Sequence, residues 1–505
     1  MALSLRIAAA LVSVCCLSAQ DPDLTRLRKD VYALADPSME GRATGTEGQR
    51  NAAKYLSQQF REAGLPPLKN SGGADPYSLP YVLVRTHLDA SGSIFLMGKT
   101  ALKVGEDILT TRTQGASGDL LFIGYGIHAP DLKWDDWASL ELKGRWVAMW
   151  EGKPEFTESV NAEAWRRAGQ TETKLEWARK AGAAGCVFIQ ERSDKRAGFG
   201  RMRAFLSRSG KRGQLSLKGG AVRESQVFWV SAEAAKVFQL ELKPLTKPGP
   251  PRALGTFTYA PKITTEEIST SNLAAVIPGS SPELKDDFIV LSAHHDHLGL
   301  EGGKLHPGAD DNASGTAAIL EVARLLKDSK PKRSILVLSV SGEELGLWGS
   351  QAFVDAPPVP LSRIKADINV DMVGRNAVDE LSVTPAQIEG AVGTLTRDAR
   401  DLAPRQGIKL TLEADKYWTR SDHYTFAKRG IPCIFFFGGM HGDYHEPTDT
   451  PDKINFEKMT RVVRLARDLV LQVANAVEQP KLLPKDAWVS WAWPSPFLPP
   501  VQKAR

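Results

Sequence analysis

Imidazoles and carboxylates recur in five short segments between residues 294 and 445: His294-His295-Asp296-His297, Asp310-Asp311-Asn312, Glu343-Glu344, Asp371, and His441 with His445. Seven of the nine histidines fall after residue 290, most of them in these segments. Nitrogen and oxygen donors without a thiolate suit zinc or a similar divalent ion. The acids exceed the needs of one ion, which suggests two ions sharing a bridging carboxylate, the arrangement of two-metal hydrolases. Each segment alone has a plainer account. Asp310, Asp311 and Asn312 could cap the helix that follows, Glu343 and Glu344 could be a solvated pair, and His445 a surface histidine. Their placement in the chain tells against so many coincidences.

Residues 288–293, 335–340, 364–370 and 433–437 read as apolar strands; the first three end in one of these segments, and the last leads toward His441 and His445. Residues 313–327 read as a helix with Ile319, Leu320, Val322, Ala323 and Leu326 inward, and 456–477 as a long closing helix. Alternation of buried strands and helices predicts an α/β fold, a mostly parallel sheet covered by helices on both faces. Ligands in such sheets gather at the carboxyl ends of the strands, where these residues stand.

Near the start, residues 24–65 read as two amphipathic helical pieces around a loop at 37–48, the second with Ala52, Ala53, Leu56 and Phe60 on one face. From 77 to 259 the pattern is mainly short strands and turns, with strands at 120–127, 146–150 and 185–189 and one helix near 173–181. Pro248, Pro250 and Pro251 punctuate the chain before the alternating block.

These stretches together resemble the zinc exopeptidases that include bacterial leucyl aminopeptidases and glutamate carboxypeptidase. The resemblance rests on Ser292-Ala293-His294-His295-Asp296-His297-Leu298-Gly299, residues 307–315, 342–350 and 369–374, Ser421-Asp422-His423, Tyr444-His445, and Gly41-Arg42 through Tyr55. Gly124-Tyr125-Gly126, residues 134–137 and 174–185 resemble the protease-associated domain often inserted in these enzymes. The implied layout is a signal peptide (1–20), an N-terminal helical part (21–76), an inserted region (77–260) with a β-rich protease-associated domain at about 115–245, a catalytic domain (261–480) and a Pro/Trp-rich tail (481–505).

Carried over residue by residue, the resemblance implies two Zn2+ ions. His294 and Asp371 would bind one, Glu344 and His445 the other, and Asp311 would bridge them, holding the family's spacing to Ser314-Gly315 where Asp310 does not. Asp296 would orient His294 through its second ring nitrogen. Glu343 would be the general base, Tyr444 would donate to the developing oxyanion, and Arg420 would contact substrate. His295, His297, His306 and His441 are expected to support rather than ligate. A cis peptide between Asp311 and Asn312 is also implied. With no cation between them, carboxylates crowded in this way should show raised pKa values.

The implied activity is removal of the N-terminal residue from peptides. The acidic surroundings suit a substrate ammonium, and only Arg375 and Arg420 stand near the motifs to capture a terminal carboxylate. Alternatives are a carboxypeptidase or dipeptidase on the same metals, a single-zinc transferase like glutaminyl cyclase, and a receptor on the same fold; the last would have lost ligands that are all present here.

Composition narrows the rest. The 505 residues exceed one core, and 42% hydrophobic with 24% charged residues is an ordinary globular balance. A net charge of +5 comes from interspersed residues, and the one basic patch (Arg201, Arg203, Arg208, Lys211, Arg212) has only Phe205 interleaved, so no nucleic-acid partner is expected. Arg6 followed by apolar residues 7–17 reads as a secretory signal, too short to span a bilayer, and no membrane span is expected later. Cys15 and Cys16 raise a lipoprotein alternative, but Val14 stands where a small residue is wanted. Beyond the signal only Cys186 and Cys433 remain, without disulfide or metal spacing, and Trp134, Trp137 and Trp146 are expected to pack inside the insert.

Overall fold

The computed structural model describes residues 21–484 except 70–71, 139, 156–160, 191–197, 210–212, 221–225 and 241–244. The expected signal segment and the tail beyond residue 484 lie outside the described residues. The chain divides into two compact units: residues 1–81 with 269–505, and Val82–Ile268.

The first unit is built on one sheet. Its strands lie in the order Lys409–Thr411, Glu380–Thr384, Cys433–Phe437, Ile364–Asp371, Phe288–His294, Ser334–Val340, closed by the end of Arg252–Ile277. Phe288–His294 pairs in parallel with both Ser334–Val340 and Ile364–Asp371, which pairs in parallel with Cys433–Phe437. Two pairings are antiparallel: Glu380–Thr384 on Cys433–Phe437, and Leu273 to Ile277 on Ser334–Val340. Every residue of Ser334–Val340 and Cys433–Phe437 is buried, as strands covered on both faces require.

Helices supply the cover. Leu24–Leu34 is capped by Asp23, whose carboxylate accepts from the amides of Thr25 and Arg26, and it buries Leu27, Val31 and Leu34. Glu47–Glu62 is capped by Thr46 and buries Ala52, Leu56 and Phe60. Gly315–Leu326 is buried over most of its length, and Phe456–Asn475, capped by Asn455, packs against it and the sheet. This α/β architecture agrees with the strand–helix alternation of the sequence.

The second unit holds parallel strands Ala116–Phe122, Trp146–Trp150, Gly185–Ile189 and Val227–Val230 in that order. Arg252 to Tyr259 pairs antiparallel with Ala116–Phe122. Its core is aromatic, with Phe95 stacked on Phe257 at 5.4 Å and Trp146 edge-on to Phe257 at 5.1 Å. Trp134, Trp137 and Trp146 are buried there.

Three expectations need correction. Residues 77–259 are not only short strands: Ser78–Met97 and Arg252–Ile277 run for 20 and 26 residues, their length hidden because polar residues on exposed stretches break the apolar pattern. The one expected helix, Thr171–Lys180, is joined by Ala162–Ala168 and Gly198–Ser209. The strand placed at 120–127 stops at Phe122 because Gly124 and Gly126 take φ of 81° and 65°, which turns the chain.

Candidate metal centre

Register brings the donors level. His294 ends its strand opposite Val340, so Ser341 to Glu344 continue beside it, and Asp371 ends the neighbouring strand opposite Phe437. Asp311 arrives from a wide helical turn, Ala309–Ser314, between the first strand and helix Gly315–Leu326. That turn is tied at both ends. Asp449 accepts from the amides of Asp310 and Asp311 at 3.0–3.1 Å, while Asn312 donates to Val370 O and accepts from the amides of Gly315 and Met372. Gly308 opens the turn at φ 59°, where a Cβ would collide with Asp311 O and the His297 ring. The Asp311–Asn312 peptide is cis, as the resemblance implies.

Arg42 adds a clip from the N-terminal segment. Fully buried, it donates to the carbonyls of Leu34, His295, Pro307 and Gly308 at 2.5–2.8 Å. Three loops around the centre are thus held by one planar cation.

His294, Asp311, Glu344, Asp371 and His445 all face one space. His294 Nε2 is 3.4 Å from Asp311 Oδ1 and 3.4 Å from Asp371 Oδ1. His445 Nε2 is 3.1 Å from Asp311 Oδ2 and 3.1 Å from Glu344 Oε2. Two ligands about 2.0–2.2 Å from a tetrahedral ion stand roughly 3.3–3.6 Å apart, so these spacings approach that of donors around a cation. Proximity also groups Glu343 with His294 and Asp371, and His297 with Asp311 and Glu344, donor atoms within each group lying within 4.8 Å of one another. His294 Nε2 and Asp371 Oδ1 are buried with no hydrogen-bond partner. Each such atom costs about 1–3 kcal/mol, a cost that a cation between them removes.

The supporting residues differ in part from expectation. The ring nitrogen Nδ1 of His294 lies 3.2 Å from the Asp296 carbonyl but 3.7 Å from its carboxylate. That carboxylate accepts instead from Thr44 Oγ1 at 2.8 Å and the Glu343 amide at 3.3 Å. Asp296 therefore anchors the Glu343 loop as much as the His294 ring. His297 is closer to the centre than expected of a supporting histidine, with Nδ1 2.7 Å from Glu344 Oε1 but 3.8 Å from Asp311 Oδ2. Asp310 points away from this space, accepting from the Gly374 amide at 2.6 Å and facing His441 at 3.2 Å.

Charge crowding has the expected sign at three carboxyls and the opposite sign at a fourth. Burial, then the charge of Glu344, raises Asp311 to about 6. Burial, with the charges of Glu344, Asp422 and Asp371 outweighing His294, holds Glu343 well above the ordinary carboxylate range. Burial raises Asp422 to about 7. Glu344 is lowered: burial opposes ionisation, but hydrogen bonds from His297 and His445 outweigh it. Burial likewise disfavours the His445 cation, yet its bonds to Asp311 and Glu344 raise it to about 10. Two imidazoles offset what the sequence suggested would be uniform repulsion.

A pocket of about 280 Å³ opens on the centre, lined by Asp311, Glu343 and Asp371 on the acidic side, by Met372, Tyr417, Phe435, Phe437, Met440 and Tyr444, and by Lys416 and Arg420. Tyr444 is stacked on the His445 ring at 3.8 Å. Burial raises its hydroxyl, which stays a donor at neutral pH. Arg375, the other cation noted near the motifs, is bound to Asp443 at 2.8 Å. Lys416, Asp449 and the role of Arg42 went unread in the sequence. Only Arg42 left a signal there, as part of a motif; the others sit in segments without one.

Residues 272–470 match the model of Peptidase family M28. The chain is similar to Aminopeptidase YwaD of Bacillus subtilis (strain 168), 29% identical over 39% of this chain and 44% of that protein. It is also similar to a protein of Pyrenophora tritici-repentis (strain Pt-1C-BFP) named probable zinc metalloprotease, 26% identical over 44% of this chain and 55% of that one. The matches thus span about half the length of these relatives. Among solved structures, an aminopeptidase from Aneurinibacillus sp. strain AM-1 aligns with a TM-score of 0.48 and 20% identity, covering 92% of this chain and 95% of that one.

Proposed function

We propose that this chain, a member of Peptidase family M28 through residues 272–470, is a zinc-dependent aminopeptidase working with two ions. The observation that carries the reading is the division of Asp311: Oδ1 faces His294 and Oδ2 faces His445, each within 3.1–3.4 Å. His294 and Asp371 would hold one ion and Glu344 and His445 the other. His445 is the ligand in preference to His297 because it stands 3.1 Å from both carboxylates, whereas His297 makes one short bond to Glu344. The bound ions would supply Lewis-acid polarisation of the scissile carbonyl and a lowered pKa for water.

The chain's own groups do the remainder. Glu343 lines the pocket beside Asp311 and Asp371, takes a proton from the attacking water and passes it to the leaving amine. The Tyr444 hydroxyl donates to the oxygen that gains charge, and the acidic wall receives the substrate ammonium. Val82–Ile268 is proposed as a protease-associated insert, and the Arg6-led N-terminal pattern as an export signal.

The test compares a free peptide with its N-acetylated and C-amidated forms on zinc-loaded protein. Loss of turnover on acetylation alone supports the aminopeptidase. Loss on amidation alone moves the assignment to a carboxypeptidase, and no turnover of any form defeats the peptidase reading.

A further inference from the structure

The pocket lining carries charge of both signs: the acids Asp311, Glu343 and Asp371 and the cations Lys416 and Arg420. The rest of the lining is Met372, Tyr417, Phe435, Phe437, Met440 and Tyr444. The two cations differ from their neighbours in being unclaimed. Lys416 Nζ lies 5.2 Å from the Tyr417 ring centroid, and neither it nor Arg420 has an ion-pair partner among the described residues. Arg375, by contrast, is bound to Asp443, and Lys453 is bound to the same carboxylate at 2.7 Å. The short helical turn Glu413–Tyr417 carries Lys416 and two acids, of which Asp415 is occupied by Thr384 and the amides of Ala386 and Gln387. Glu413 makes no ion pair with Lys416 or Arg420 among the described residues.

The acids suit an ammonium. A pocket with apolar sides and two free cations suits an apolar stem ending in a carboxylate, through charge-assisted hydrogen bonds. A purely aliphatic side chain would gain the apolar contact but leave the cations without partners. We infer that Lys416 and Arg420 are specificity residues that select substrates carrying a carboxylate in addition to the N-terminal ammonium. Two sources share that chemistry: the side chain of an N-terminal glutamate, and the terminal carboxylate of a dipeptide. This deepens the aminopeptidase reading and rests on it for the site's identity.

The experiment reads binding without hydrolysis. Zinc-loaded Glu343→Gln protein is titrated calorimetrically with the α-amides of glutamate and glutamine, then with leucyl-leucine and its amide. The expected result is about tenfold tighter binding of the carboxylate-bearing member of one pair, the scale of one charge-assisted hydrogen bond. The ratio should fall toward one when Lys416→Gln or Arg420→Gln is added, and Arg420→Lys should retain part of it. A ratio is taken within one protein, so a general weakening of binding cancels. Preference in the glutamate pair identifies the side chain, and preference in the dipeptide pair identifies the chain terminus; both support the inference. Equal binding within both pairs, or a preference unchanged in both Gln variants, overturns it. Turnover of leucine amide by the wild-type protein is scored separately, so failure of the peptidase reading is distinguishable from failure of the carboxylate preference.

Discussion

Both units bury ionisable groups, but they partner them differently at two places. In Val82–Ile268 the fully buried Lys174 donates to the carbonyls of Trp150 and Gly152, and Asp136 Oδ2 accepts from Ile127 N and Trp134 Nε1. Lys174 is spent on neighbouring backbone, and Asp136 leaves only a single oxygen, Oδ1, without a partner. In the unit that contains residues 272–470 His294 Nε2 and Asp371 Oδ1 are equally buried yet have no hydrogen-bond partner, although each is within 3.4 Å of the other. A buried polar atom that is bonded holds a fold together, while a cluster of unbonded ones aimed at each other marks a place for something else. Cavity size does not make this distinction. The larger cavity, about 530 Å³, belongs to the inserted unit and has Arg203 as its one charged lining residue among the described residues, whereas the one of about 280 Å³ gathers Asp311, Glu343, Asp371, Lys416 and Arg420.

The sharpest way to break the contrast is to remove the shared carboxylate. Asp311→Ala should lose bound zinc and all measurable turnover together, read by metal analysis of the purified protein and by peptide hydrolysis. Full zinc content in that variant would deny Asp311 the bridging position. Glu343→Gln comes next: zinc is retained and the circular dichroism unchanged, but kcat falls about a hundredfold or more, the scale of general-base loss. Near-normal turnover there would require another base.

The inserted unit should respond in stability instead. Lys174→Met leaves Trp150 O and Gly152 O without their donor, at a cost of about 2 kcal/mol, measured by denaturant unfolding followed through tryptophan fluorescence. Zinc content should not change. The same residue should also govern a pH dependence. Burial lowers Lys174 from 10.5 to about 7, so between those values the unfolded chain holds a proton that the folded chain has released. Stability from this group therefore rises with pH across that window and is lost as pH falls toward 7, by up to about 1.4 kcal/mol per pH unit. Lys174→Met should flatten the slope by that amount, and identical slopes in the two proteins would show that Lys174 keeps its charge when folded.

Much of the unit that carries the metal centre was legible because its strands are buried on both faces. Residues 288–293, 335–340, 364–370 and 433–437 read as continuous apolar runs, and the structure extends three of them by one residue and leaves the fourth unchanged. Periodicity failed where a strand is half exposed: the burial of Arg252–Ile277 changes from mostly open to mostly closed along its length, and no single pattern describes it. The helix Ala162–Ala168 was missed for a related reason. It is short and buries only Trp165 and Ala168, too little for a stripe to show.

The sequence by itself determined which donor types follow which strands, because strand ends are set by local burial patterns and the polar residues that follow must stand at the sheet edge. It thereby determined the segments that carry candidate donors and the kind of ion they suit, while the choice of ligands among them was implied by the family resemblance. Only the tertiary structure decided how those donors share their bonds. His297 binds Glu344, Asp296 turns to Thr44 and the Glu343 amide, Asp310 turns to Gly374, and Lys416 joins the pocket from a segment with no motif. Each of these choices depends on distances of a few tenths of an ångström between segments far apart in the chain. Side-chain period and residue type carry no information on that scale, whereas packing does.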